Sequence, residues 1–172
     1  VFRCGDAPPV ASRFQMFIWK WMVRRSQRVV SVSHFIKNRV AGVVRSAKKK
    51  TVVIHNIAPS RKGNPDQALI QTLTAEKRPF QLVYVGQLHA IKGVPLLVDA
   101  LLALDDPEIG CWMVGGNVHT QKEEKKLKEK VANSPSRTSI RWEGFRPDPR
   151  PHFAAADWHI APSVCEEAFG NV

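Results

Sequence analysis

The chain has 172 residues, 44% hydrophobic and 24% charged. That suits one well-buried domain or parts of two and indicates a globular rather than a disordered protein. Lys and Arg outnumber Asp and Glu by 26 to 15, a formal charge of +11, so an anionic partner is expected.

The three cysteines, Cys4, Cys111 and Cys165, are too few and too widely spaced for a disulfide framework or a CxxC zinc site. They fit a reducing, cytoplasmic compartment. The six histidines show no HxxxH or HExxH spacing, so no metal ligands are expected. The longest apolar stretch, Met16 to Val23, is interrupted by Lys20 and is too short to span a bilayer. No apolar core with a small-residue cleavage site precedes it, so no secretory leader is expected.

The first predicted element is Ser12–Arg28, SRFQMFIWKWMVRRSQR, apolar on most sides and then basic. Two readings suit it. As a core helix it would snorkel its Lys and Arg. As an interfacial helix it would set Trp19 and Trp21 at headgroup level and Arg24, Arg25 and Arg28 on anionic lipid. The width of the apolar stripe favours the core helix.

Val29–Ser33 and Thr51–Ile54 are short β-branched runs, the usual composition of buried parallel strands, and Phe35–Val44 between them has helical spacing. Lys48, Lys49 and Lys50 read as a solvated turn. Residues 58–66, with Pro59, Ser60, Gly63, Asn64 and Pro65, read as a linker. Beyond it the rhythm is regular: helix Gln67–Ala75, strand Gln81–Val85, helix Pro95–Leu104, strand Cys111–Val114 and helix Thr120–Asn133. Strand Thr138–Trp142, helix Arg150–Ala156 and strand Trp158–Ala161 follow. Thr120 and Glu123 form a capping box. The alternation predicts an α/β fold with doubly wound parallel sheets.

Charge divides the chain near the same linker. Residues 1–62 hold 14 Lys/Arg against one acid, Asp6, for +13; residues 63–172 hold 12 against 14, for −2.

Four ordered blocks carry chemistry. Residues 80–93, FQLVYVGQLHAIKG, run a strand into Gly86-Gln87 and then Lys92-Gly93, placing a cation beyond a carboxyl strand end, where open parallel sheets bind ligands. CWMVGG (111–116) ends a strand on Gly115-Gly116, which permits close backbone approach. IRWEGF (140–145) ends on Gly144-Phe145 beside Trp142, so residues 144–146 are candidates for contact with a base, and Trp142 is either a stacking surface or core. WHIAPSVCEEAFGNV (158–172) runs strand, turn, carboxylates Glu166 and Glu167, then Phe169-Gly170-Asn171 opening a helix. Free helix amides suit a phosphate, and a carboxylate suits sugar hydroxyls.

Together with HFAAADWHIAPS (152–163), these blocks resemble the retaining GT-B glycosyltransferases of the group 1 or family-4 class, whose signatures are G-R-L-x-x-x-K-G, G-x-G, F-x-G, Y-x-x-A-D-x-x-x-x-P-S and S-x-x-E-x-F-G-x-V-x-x-E. The resemblance covers roughly residues 28–172. It departs at Gln87, where Arg is usual, at Ala168, where Pro is frequent, and at Ile57, which replaces Gly in the hinge-like His55-Asn56-Ile57-Ala58-Pro59. The second Glu of the pattern would fall three residues beyond Val172. The chain is therefore expected to be a fragment without activity of its own.

The resemblance implies two Rossmann-like domains. Residues 1–57 would be the end of the acceptor domain, 58–66 the linker and 67–172 most of the donor domain. It also implies transfer of a sugar, a hexose by expectation, from a UDP-, GDP- or ADP-sugar to a hydroxyl of a saccharide or lipid-linked acceptor, with retention and without a metal or other cofactor. Lys92 would assist the departing diphosphate and Glu167 would orient the sugar. Gly86, Gln87, Gly115, Gly116, Gly144, Phe145, Phe169, Gly170 and Asn171 would surround the nucleotide, and Glu166 would be a solvated neighbour.

The rival is a non-enzymatic module whose basic first third holds nucleic acid or an anionic membrane. Its aromatics cluster in one apolar helix rather than alternating along a strand, so nucleic acid is not expected. Peripheral contact with the cytoplasmic membrane face remains compatible with the transferase reading. An oxidoreductase lacks its GxGxxG.

Overall fold

The computed structural model describes residues 1–9, 12–57, 62–116 and 121–164. Its contacts divide the chain into two compact units, with the boundary between Ser60 and Arg61.

In the first unit, β1 (Phe2–Cys4), β2 (Val29–Ser31) and β3 (Thr51–Val53) form a parallel sheet in that order. Helices α1 (Arg13–Arg25) and α2 (His34–Val43) are the connections. Strand β1 was not anticipated: three residues holding an arginine are too short for periodicity to signal. Each helix starts on a serine whose hydroxyl accepts an early backbone N–H, Ser12 from Gln15 and Ser33 from Ile36, as N-caps do. The core joins Cys4, Trp19, Val23, Val29, Val32, Ile36 and Val40.

Two expectations are corrected here. Helix α1 is not a core helix throughout. Trp19 and Val23 are buried, but Phe14, Phe17 and Trp21 are 71%, 66% and 54% exposed, because a three-stranded sheet covers only one face of the helix. Lys50 is not a free solvated lysine. Its ammonium donates to the carbonyls of Arg24 at 2.8 Å and Ser26 at 2.6 Å, closing the carboxyl end of α1. Lys48 and Lys49 are exposed, as expected.

In the second unit, α3 (Gln67–Glu76) leads to β4 (Phe80–Val85), α4 (Val94–Leu104) to β5 (Ile109–Val114), α5 (Gln121–Ala132) to β6 (Ser139–Gly144), and α6 (Arg150–Ala155) to β7 (Trp158–His159). The sheet order is β6-β5-β4-β7, all parallel. The period-two alternation of side chains sends Tyr84, Cys111 and Met113 into a cluster with Leu97, Val98 and Leu101 of α4. The alternate residues Val83, Trp112 and Val114 join Leu73 of α3 and Ala155 of α6 on the other face. Both faces are covered, as a doubly wound sheet requires. Burial pushes the Cys4 thiol up to about 11 and the Cys111 thiol to about 12, so both are inert packing groups.

The chain steps outward from β4 to β6 and then returns to place β7 on the other side of β4, so the strand order switches direction beside β4. Asp157 fixes this return. Its carboxylate accepts from the Gln81 N–H at 2.8 Å and from Lys77 at 2.6 Å, while its own N–H donates to the Gln81 carbonyl. The Lys77 and Gln81 hydrogen bonds hold its pKa below the ordinary carboxylate value.

Strand β6 runs two residues past its expected end at Trp142. The register shifts between Met113 and Val114, so Val114 pairs with Gly144 and Glu143 is the extra residue of a bulge. The capping box lies outside the described residues at Thr120, as does part of the linker.

Candidate functional site

At the carboxyl ends of β4, β5 and β6 stands a glycine each, Gly86 and Gly115 just after their strands and Gly144 as the last residue of its own. They are tied edge to edge: the Gly86 N–H donates to the Val114 carbonyl at 3.0 Å, and the Gly115 N–H to the Gly144 carbonyl at 2.8 Å. Gly115 has φ of 142°, and a Cβ built on it would lie 1.8 Å from the Gly86 carbonyl oxygen. Only glycine allows these two strand ends to approach so closely.

The approach opens a cavity of about 300 Å³, the lower end of small-ligand pockets. The cavity is lined by the apolar side chains of Val85 and Val114, by Gly86, Gly115 and Gly116, and by Gln87, Phe145 and Arg146. Phe145 is 78% exposed, an aromatic face held open at a strand end. Tyr84, the single tyrosine of the chain, is buried, and its hydroxyl donates to the Gln87 carbonyl at 2.7 Å. That bond shapes the Gly86-Gln87 turn from beneath.

Arg146 is held by Glu143. The Glu143 carboxylate accepts from Arg146 Nη2 at 3.0 Å, from Arg141 Nε and from buried His152, whose Nε2 lies 3.3 Å away. A carboxylate can only accept here, so His152 carries its proton on Nε2. Its Nδ1 finds no partner among the described residues, and its ring stands edge-on to Trp112 at 5.9 Å. Burial raises the Glu143 pKa, but the hydrogen bonds from His152, Arg141 and Arg146 outweigh it and leave the value below 4.5.

Lys92 ends a short 3₁₀ turn, Ala90–Lys92, after β4, and is not on the cavity wall. Its neighbour Gly93 adopts φ of 69°, and a Cβ there would meet the Pro162 carbonyl oxygen at 1.9 Å. The Val164 N–H also donates to the Ile91 carbonyl. The Lys-Gly turn is thus stitched to the segment that leads out of β7, on the switch side of β4.

Of the residues singled out in the sequence, Gly86, Gln87, Gly115, Gly116 and Phe145 converge on one cavity. Gly144 supports it by hydrogen bonding, and Lys92 stands on the neighbouring loop. Glu166, Glu167, Phe169, Gly170 and Asn171 lie outside the described residues. Trp142 is half-buried against the α4 cluster, with Lys128 over its ring at 5.8 Å, and it is not among the residues lining the cavity. Sequence reasoning missed Tyr84 and the Glu143 anchor. Arg141 and Glu143, two apart on a strand, share one side of it, and that was the available signal.

A model of the family described as glycosyl transferases group 1 matches residues 79–172. Among curated proteins, no sequence matches closely enough to count as a relative. Solved structures are similar in fold. One is Anabaena Alr3699/HepE in complex with UDP-glucose, at a TM-score of 0.77 and 21% identity over 98% of this chain and 48% of that one. A glycosyltransferase from Rickettsia africae follows at 0.73 and 20% identity, over 98% and 52%. The catalytic domain of Arabidopsis thaliana starch synthase IV, bound to ADP and acarbose, is similar at 0.55 and 19% identity, over 88% and 38%. The chain therefore spans about half the length or less of the structures it resembles, and its own parallel α/β architecture is that of a Rossmann-like half of a GT-B fold.

Proposed function

The chain belongs to the group 1 glycosyltransferases, and on that premise we propose that its second unit binds a nucleoside-diphosphate sugar at the β4–β5–β6 strand ends. The observation that carries this reading is the cavity itself. Three glycine-ended strands admit a ligand to within backbone reach, Phe145 offers a face for a base, and Arg146 offers a fixed cation for phosphate.

Lys92 and the amides of Phe169, Gly170 and Asn171 would take the charge that develops as the diphosphate leaves, the stabilisation that matters most in such a transfer. Glu167 would orient the sugar hydroxyls. The bond between the anomeric carbon and the diphosphate breaks, and one to an acceptor oxygen forms. The acceptor proton leaves with the diphosphate. We propose retention, hexosyl transfer, no metal requirement, and a saccharide or lipid-linked hydroxyl as acceptor. The donor is a UDP-, GDP- or ADP-sugar; UDP and ADP are the nucleotides named for the similar structures.

Calorimetry of the chain with UDP, GDP and ADP tests the donor site. Gly116→Leu is the decisive variant. A Cβ at Gly116 meets nothing within 4 Å, so the fold should persist while the side chain fills the cavity and binding is lost. Binding unchanged in Gly116→Leu would place the nucleotide elsewhere. For the 172-residue chain alone the expected outcome is nucleotide binding without turnover, since the similar structures are about twice as long.

A further inference from the structure

We propose that α1 is a membrane-docking helix whose outward face inserts its aromatic side chains into an anionic lipid surface. The proposal concerns the first unit and does not depend on the donor-site reading.

At about 100° per residue, Met16, Trp19 and Val23 lie on one face of α1 and Phe14, Ile18 and Trp21 on the opposite one, with Phe17 beside them. The first set packs into the core, with Trp19 edge-on to Phe2 at 6.5 Å. The second is exposed: Phe14 71%, Phe17 66%, Trp21 54% and Ile18 38%. Among the described residues these four large apolar side chains share one stripe and are left exposed. Water contact with that stripe is unfavourable by roughly 25 cal/mol per Å² of apolar area, so it marks an interaction surface.

The charges beside it select the occupant. Arg13 and Arg24 are exposed and Lys20 half-buried along one flank of the stripe. Arg25 lies at its carboxyl end, with its guanidinium over the Trp21 ring at 5.7 Å. The helix contains no acid, and residues 1–62 carry 14 Lys/Arg against one acid. A second copy of this chain would bring two such faces together against strong like-charge repulsion. Nucleic acid would need cations, not phenyl and indole rings, at the centre of the contact. An anionic bilayer accepts both parts at once: rings enter the headgroup boundary while the flanking cations stay among lipid phosphates. No helix among the described residues is long and apolar enough to cross a membrane, so the geometry is that of a helix lying in the surface.

The test is co-sedimentation with phosphatidylcholine vesicles containing none or about one third phosphatidylglycerol, at low and high salt. Binding should require the anionic lipid and weaken with salt. Phe17→Ser with Trp21→Ser should weaken it about tenfold or more while circular dichroism stays unchanged, since both side chains are outside the core. Brominated lipid should quench the wild-type tryptophan fluorescence, and Trp21→Phe should remove most of that quenching while vesicle binding persists. Equal binding to neutral and anionic vesicles would overturn the proposal. So would Trp21 fluorescence insensitive to brominated lipid. Two further outcomes would replace it: salt-dependent binding to duplex DNA that the aromatic double variant leaves intact, or a dimer in sedimentation velocity that this variant abolishes.

Discussion

The two units are built on one plan, a parallel sheet with helical crossovers, yet they present opposite surfaces. The first places apolar rings and cations on the outside of a helix, while the second gathers glycines and one aromatic at its strand ends. Helix α5 sharpens the contrast with α1. It is almost entirely charged on its outer side, with Glu124–Lys128 and Lys125–Glu129 pairs, and buries only the seam of Leu127 and Val131 against the α4 cluster. Sheet packing asks only one stripe of a helix to be apolar. What the remaining surface carries is free for function, and here the two units use that freedom differently.

The largest expected effect lies at the loop that binds the second unit together. Gly93→Ala adds a Cβ against a backbone carbonyl and forces a left-handed φ, and should cost about 3 kcal/mol or more, read as a lowered denaturant midpoint. A midpoint close to wild type would mean that the Lys92-Gly93 turn is not held by Pro162 as described.

Next is a test within α1. Val23→Ala should cost about 2 kcal/mol, because it opens a cavity in the core. Phe17→Ser on the opposite face should change stability by no more than about 0.5 kcal/mol. Equal losses from both would erase the division of the helix into core and docking faces.

A comparable effect is expected from Lys92→Ala, which should weaken nucleoside-diphosphate binding by about 1.5–3 kcal/mol if the ammonium meets phosphate; Gln87→Arg should tighten it. Arg146→Ala measured alongside decides which cation carries the load, and calorimetry in which only Arg146→Ala has an effect would move the phosphate to the β6 side of the site.

The smallest effect is a pH dependence confined to the second unit. Glu143 has a folded pKa below its ordinary 4.5, so its stabilising contribution is fully present above that value and is lost as pH falls through the lowered one. Glu143→Gln should flatten this acid limb of thermal stability and loosen Arg146, raising the Kd for nucleotide at neutral pH. An unchanged acid limb would show that the carboxylate does not hold its three partners in solution.

Much of this organisation could be read from residues in order, because the signals are local. β-Branched runs, helical spacing and the Gly-Gly and Lys-Gly turns mark elements whose geometry depends on their own backbone, so the alternating parallel architecture followed from the chain alone, and the four blocks with it. Elements failed to show where pairing makes them: β1 exists because β2 offers it a register, and β6 outruns its apolar pattern because Val114 pairs past the bulge at Glu143.

Side-chain fate was the part that tertiary structure decided. Periodicity reports that Trp142 and Trp21 are large and apolar, but not what stands opposite them. Packing against the α4 cluster half-buries the first, while the second is left in solvent. The same holds for Lys50, whose partners are more than twenty residues away, and for Tyr84, whose hydroxyl shapes a turn that its sequence neighbours only name. Local backbone preference is written in neighbouring residues; burial, anchoring and exposure are properties of surfaces that exist only after distant segments meet.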